Sequence, residues 1–93
     1  MANPDKYLAE FLGTMLLLTC ILASSGNSLI VGSALAVAVY FSASISGGHI
    51  NPAVSLAMYI NKRLSLNDLL IYIAVQLAGG VSAVFLYNAV LTI

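Results

Sequence analysis

The sequence has 93 residues, of which 61% are hydrophobic and only 6% are charged. Soluble domains carry roughly 25% charged residues, so this chain lacks the polar surface that a water-soluble fold needs, and a lipid bilayer is the solvent that suits it. Its three basic and three acidic residues cancel, which leaves no basic patch for nucleic acid and excludes that class of partner.

Two apolar runs open the chain, at about residues 7–24 and 29–45, separated by a turn-rich segment. Each run reaches the 17–25 residues, roughly, that a membrane-spanning helix requires once its flanks are included. The first run also imitates a secretory signal peptide, because Lys6 precedes it and small residues follow it. Glu10 near its start and the equally apolar remainder of the chain favour a spanning helix instead.

Residues 46–61 predict a re-entrant segment rather than a fourth span. The apolar piece that begins at Asn51 has only about ten residues, which reach about half the hydrocarbon thickness. Asn51 is a strong N-cap residue that we expect to cap the N–H groups near Ala53 and Val54, and Pro52 suits the first helical position. The backbone of residues 47–50 is predicted to be extended and to present carbonyls to a pathway, since irregular backbone at membrane depth must line water or protein.

The last run, residues 67–92, is long enough to span with tilt. Ser65 or Asn67 is its predicted N-cap, with Asp68 in the first turn. The sequence therefore predicts one all-α unit over residues 1–93, with three transmembrane helices and one re-entrant half-helix. Small residues four apart predict close helix contacts; these pairs are Ala9 and Gly13, Gly32 and Ala36, Ala34 and Ala38, and Gly79 and Ala83.

The basic residues indicate the orientation of the chain in the membrane. Lys6, Lys62 and Arg63 all fall on one side of the predicted topology, so the N-terminus is expected inside. The chain is thus predicted to be an integral, multi-pass membrane protein.

The segment Ser-Gly-Gly-His-Ile-Asn-Pro-Ala-Val at 46–54 resembles the first signature loop of the major intrinsic protein family, the aquaporins and aquaglyceroporins. Residues 9–14 resemble the family's first-helix motif, and Gln76 followed by Gly79 and Gly80 resembles its third helix. Family members have six spanning helices and two half-helices in two inverted repeats, and this sequence is similar only to the first repeat. The family's second loop, Asn-Pro-Ala-Arg, has no counterpart here, where the motif continues as Val54.

The resemblance implies a passive channel for water and for small neutral solutes such as glycerol, with no enzymatic activity, cofactor or metal. Glu10 and Gln76 would support the loop backbone, although Glu10 could instead couple protons and His49 could gate. Val31, twenty positions before Asn51, and Val54 would be the selectivity positions. The pore-lining residues implied are Gly47, Gly48, His49, Ile50 and Asn51, with Asn51, Pro52 and Ala53 as the motif.

A single repeat encloses no complete pore, so an opposing half is expected. We favour an antiparallel homodimer in lipid, because inverted repeats are related by an axis in the membrane plane and the sequence ends after three helices without a linker. Four such pores are expected to pack together, as whole family members form tetramers. The placement of the basic residues argues mildly against dual insertion. The alternatives are a separate second half, a non-conducting fragment or accessory subunit, and a weakly selective ion channel, since the missing arginine removes a cation barrier.

Overall fold

The computed structural model describes residues 3–92, which form helices joined by turns. The helices are α1 (Asp5–Ala23), α2 (Ser28–Ser46), α3 (Pro52–Ile60) and α4 (Leu66–Leu86), and α4 continues into a π-helical turn at Tyr87–Leu91. Within the described range, three helical stretches are long and apolar enough to cross a membrane, namely α1, α2 and α4 with its extension. The predicted all-α fold, with three spans and one shorter helix, is confirmed.

Local capping sets where these helices begin and end. The Asn27 side chain accepts hydrogen bonds from the N–H groups of Leu29 and Ile30, so α2 begins directly after the turn. The Ser65 hydroxyl accepts from the N–H of Asp68 at 3.1 Å. Of the two predicted N-caps of α4, Ser65 is therefore correct and Asn67 is not.

Helix α1 lies at the centre of the bundle, packed against both α2 and α4, while α3 packs on α4. Helices α1 and α4 begin side by side, because Asp68 accepts from Lys6 Nζ at 2.7 Å and from the Tyr7 hydroxyl at 2.6 Å. Lys6 and the loop before α4 therefore lie at the same end of the molecule, as the charge pattern predicted.

Small residues allow the close approach of α1 to its neighbours. Gly13, Ala38 and Ala83 are buried, as are the partners that the sequence paired with them. The predicted pair Gly32 and Ala36 is an exception, because both residues are exposed on the outer face of α2. These two residues share one face of α2, as their spacing of four predicts, but that face points away from the bundle.

The bundle is apolar outside and polar inside. Tyr40 is 88% exposed, Leu29 78% and Phe85 71%, whereas the largest fully buried side chains include Tyr72, Gln76 and Glu10. The longest dimension is 43 Å, close to the roughly 40–45 Å of a bilayer with its headgroups. This arrangement suits a lipid solvent, in which buried ionisable groups face the interior of the bundle.

Candidate functional site

The connection between α2 and α3, residues 47–51, has an unusual backbone. Gly47 ends α2 with a φ of +95°, Gly48 has +66° and Ile50 has +59°. Glycine adopts positive φ freely, but a β-branched residue rarely does. The surrounding groups must therefore hold Ile50 in place.

The carboxylate of Glu10 anchors this connection. Its Oε2 accepts from the Ser46 hydroxyl at 2.6 Å and from the backbone N–H of His49 at 3.0 Å. Its Oε1 accepts from the N–H of Ile50 at 2.7 Å and from Gln76 Nε2 at 2.9 Å. Glu10 is fully buried, so these four donors replace the water that an ionised carboxylate would otherwise require. The expected contact of Glu10 with the backbone near His49 is present.

Gln76 acts on the connection indirectly, which differs from the direct backbone support that the resemblance implied. Its Nε2 donates to Glu10 Oε1 and to the Ser55 hydroxyl at 3.0 Å. Ser55 in turn lies 2.8 Å from His49 Nδ1. The His49 side chain is thus buried in a polar cluster and does not project into open space.

Tyr72 and Ser46 belong to the same cluster, although neither was predicted to support the connection. The Tyr72 hydroxyl donates to the carbonyl of Ser46 at 2.7 Å, and its ring centroid lies 5.1 Å from that of His49. Tyr72 precedes Gln76 by four residues, so both lie on one face of α4 together with Gly79. That spacing was the signal that could have identified Tyr72 as an interior residue.

Ile50 is fixed by its packing as well as by its hydrogen bonds. Thr14 Oγ1 donates to its carbonyl at 3.3 Å. Its side chain is only 2% exposed and fills the space beside Gly13, where a Cβ would collide with Ile50 Cδ1. The side chain of Ile50 is therefore held by its packing, and its carbonyl already accepts a hydrogen bond from Thr14.

The carbonyls that remain open are those of Gly47, Gly48 and His49. No group among residues 3–92 donates a hydrogen bond to any of them. The predicted row of carbonyls therefore consists of these three residues, one fewer than expected. They provide adjacent acceptors, but the predicted extended backbone is wrong, because Gly47, Gly48 and Ile50 all have positive φ.

Asn51 follows this row and starts α3. Its Oδ1 accepts from the N–H of Ala53 at 2.7 Å. The expected second bond, from Val54, is wrong, because the extended backbone of Asn51 (φ −150°) brings its short side chain to one N–H group only. With Oδ1 engaged and Pro52 at the first helical position, the exposed Nδ2 of Asn51 is left as a donor without a partner in the described chain.

A groove of about 470 Å³ borders the start of α3 and is open on one side. Its lining includes Thr14, Asn51, Pro52 and Gln76, with apolar residues of α4 such as Leu77 and Val81. Gln76 Oε1 is buried and accepts no hydrogen bond within the described residues. Asn51 therefore borders this groove, whereas Gly47, Gly48 and His49 are not among the residues that line it.

The comparison with known protein families agrees with this geometry. Residues 1–92 match the family described as major intrinsic protein. The chain belongs to the major intrinsic protein family. It is accordingly an integral, multi-pass membrane protein, with the spans described above.

Several curated relatives in the family are similar along most of this chain. The glycerol uptake facilitator protein-like 6 of Lactiplantibacillus plantarum is 43% identical over 86 residues, covering 84% of the chain. The aquaglyceroporin of Toxoplasma gondii is 35% identical over 90% of the chain, and the glycerol uptake facilitator protein of Pseudomonas aeruginosa is 40% identical over 82%. The matches cover 40%, 35% and 32% of these relatives, so the chain spans well under half of their length.

The two implied selectivity positions of the family are not brought together within one chain. Val31 lies in the first turn of α2 and Val54 in α3, and these helices do not pack against each other in the described range. Both side chains are partly exposed. A constriction at either position would require groups from an opposing half.

Proposed function

We propose that the chain forms one half of a passive channel for water and small neutral solutes such as glycerol. The observation that carries this proposal is the segment 47–51, in which the carbonyls of residues 47–49 accept no hydrogen bond and Nδ2 of Asn51 is an unpaired donor within the described residues. Glu10 fixes the segment through two backbone N–H groups. Rigid acceptors beside a rigid donor match the hydrogen-bonding needs of a hydroxylic solute.

A permeating molecule would exchange its hydration for these groups. Its oxygen would accept from Asn51 Nδ2, while its hydrogens would donate to the carbonyls of residues 47–49. Because the donor and acceptors are held in place, the solute would lose little hydrogen bonding on leaving water. The N-terminal end of α3 would add a partial positive charge that disfavours cations.

The opposing half is best supplied by a second, inverted copy of this chain. Asn51 borders a groove that is open on one side, so a single chain leaves one wall of the pathway missing. An inverted copy would add a second α3, so that two positive helix ends would meet at the midplane. Several such dimers would pack together in the membrane.

Val31 and Val54 favour solutes larger than water. Both side chains are small and apolar, so constrictions formed from two copies would be wide at both mouths. The similar proteins of L. plantarum and P. aeruginosa are named glycerol uptake facilitators. We therefore include glycerol among the permeants of this chain.

The substitution Asn51→Ala tests the pathway. We expect it to lower water and glycerol permeability in liposomes by at least severalfold, because it removes the donor amide. The lost cap should reduce the stability of α3 by only about 1 kcal/mol. Stopped-flow light scattering at matched protein density measures both fluxes.

Asn27→Ala is the matched control, because Asn27 caps α2 in the same way. It should lower stability to a similar extent and leave both fluxes unchanged. Equal fluxes in the two variants would remove Asn51 from the pathway. Ion flux through the unmodified protein would favour a weakly selective ion channel, and no flux at all would favour an accessory subunit.

Cross-linking tests the inverted dimer. In a Cys20→Ser background, Asn51→Cys should link two chains across the midplane, since both copies would place position 51 at the centre. Asn27→Cys is the control, because an inverted pair would hold the two residues on opposite membrane faces. Linked dimers on a denaturing gel give the readout.

The absence of a product at position 51, with every N-terminus labelled from one side, would contradict the homodimer. A separate chain that carries the second half would then be the partner to seek. The conduction proposal would still be tested independently by the Asn51 and Asn27 variants in the presence of that partner.

A further inference from the structure

The loop between α3 and α4, residues 61–65, begins with a turn that backbone hydrogen bonds hold. The N–H of Lys62 donates to the carbonyl of Tyr59 at 3.0 Å, and that of Arg63 to the carbonyl of Met58 at 2.8 Å. These bonds satisfy the last carbonyls of α3. The side chains of Lys62 and Arg63 are exposed and form no ion pair within residues 3–92, so their charges are not used by the fold.

Lys62 occupies a position that favours glycine. Its φ of +62° is the left-handed conformation of the residue that follows a helix end, where a side chain carries an energetic cost. Its side chain forms no hydrogen bond or ion pair within the described residues that would offset that cost. Such a backbone outlier on a charged residue points to a role for the side chain outside the fold.

The two basic side chains border an open cleft of about 710 Å³ between the end of α3 and the start of α4. Asp68 is the acidic residue in its lining. Both oxygens of that carboxylate are already engaged, one by Lys6 and the other by the Tyr7 hydroxyl. The cleft therefore has two positive charges that no acidic residue in its lining balances.

We infer that this cleft binds the phosphate of an anionic phospholipid headgroup. Arg63 supplies a planar, bidentate fork for phosphate oxygens, and Lys62 supplies a compact charge beside it. Ile60, 69% exposed, and Leu66, 54% exposed, flank the loop and provide apolar surface for the acyl chains. The cleft lies at the end of a membrane-spanning bundle, where the headgroups of one leaflet are within reach.

Native mass spectrometry of the full chain, released from detergent with added lipid, tests this inference. Phosphatidylglycerol should form an adduct in preference to phosphatidylcholine. Lys62→Gly should weaken that adduct about fivefold, the effect of one basic residue near an anionic surface. Adding Arg63→Gln should weaken it by about a further fivefold, while Lys62→Arg should retain it.

Two controls separate a specific site from general effects. Lys62→Gly removes the steric cost of a side chain at a positive φ, so the thermal stability of this variant should equal or exceed that of the unmodified chain. Weaker lipid binding by a variant of unchanged stability then reports the lost charge. Asp5→Asn, combined with Lys62→Gly, restores the net charge at the same end through an exposed residue. That combination should not restore the adduct if the cleft itself binds the lipid.

Equal adducts of both lipids, or equal binding by the unmodified and Lys62→Gly chains, would overturn the inference. Recovery of the adduct when Asp5→Asn is added to Lys62→Gly would also overturn the inference, because net charge alone would then explain the binding. Inorganic phosphate is tested in a separate arm. Binding of phosphate without any preference for phosphatidylglycerol would make the cleft a site for the soluble ion and contradict the lipid assignment.

Discussion

Replacing Glu10 with leucine should strongly lower the stability of this protein. The change leaves three donors without an acceptor, namely the N–H groups of His49 and Ile50 and one N–H of Gln76, while the Ser46 hydroxyl keeps only its longer bond to the Ser42 carbonyl at 3.3 Å. Each buried donor left unpaired costs about 1–3 kcal/mol. We therefore expect the free energy of unfolding to fall by on the order of 5 kcal/mol, measured by circular dichroism during titration with sodium dodecyl sulfate.

Permeability should fall together with stability in Glu10→Leu, because the carbonyl row depends on the same hydrogen bonds. Glu10→Gln keeps the shape and one acceptor oxygen, so its loss of stability should be intermediate. Asp5→Leu is the matched surface control, since it removes an exposed carboxylate from the same helix and should change stability by less than about 1 kcal/mol. A Glu10→Leu protein as stable as Asp5→Leu would show that the four hydrogen bonds contribute nothing to the fold.

The substitution Gly79→Ala should push α1 away from α4 at their contact and lower the stability of the bundle. A Cβ at Gly79 would lie 2.5 Å from the carbonyl oxygen of Phe11 and 3.2 Å from Thr14 Cβ. The first of these is a backbone atom, so relief requires the helices to move apart and not just a side chain to rotate. Overpacking of this kind typically costs about 1–3 kcal/mol, and detergent titration should detect that loss.

Gly80→Ala provides the neighbouring control on the same helix. Its added Cβ would come no nearer than 3.8 Å to Leu18 Cγ, which is an ordinary contact. Because alanine favours helix over glycine by about 1 kcal/mol, this variant should be as stable as the unmodified chain or slightly more so. Equal stability of the two variants would mean that α1 and α4 do not depend on a glycine at their contact.

Water and glycerol flux through the Gly79→Ala variant should also fall, because α1 carries two of the side chains that hold residues 47–51 in place. Glu10 binds its N–H groups, and Thr14 binds the Ile50 carbonyl. Moving α1 away from α4 would lengthen these bonds and disorder the open carbonyls. The comparison with Gly80→Ala at matched protein density isolates this effect from protein yield.

The spans and the half-helix were determined by the sequence, because these features depend on local chemistry. Long apolar runs fix the three spanning helices, and Asn51 with Pro52 fixes the start of α3 within one residue. The role of Asn51 as a cap followed from its side chain alone, since capping joins groups only two residues apart.

Only the tertiary structure decided which polar groups meet. Glu10 joins Ser46 and Gln76, which lie 36 and 66 residues away in the chain, and Tyr72 reaches the carbonyl of Ser46 across 26 residues. In a soluble helix the apolar stripe would indicate which face turns inward. These helices are apolar on nearly every face, because lipid surrounds them, so hydropathy leaves their rotation undetermined. The packing of small residues and the hydrogen bonds of the buried carboxylate set that rotation, and they turned Gly32 and Ala36 outward.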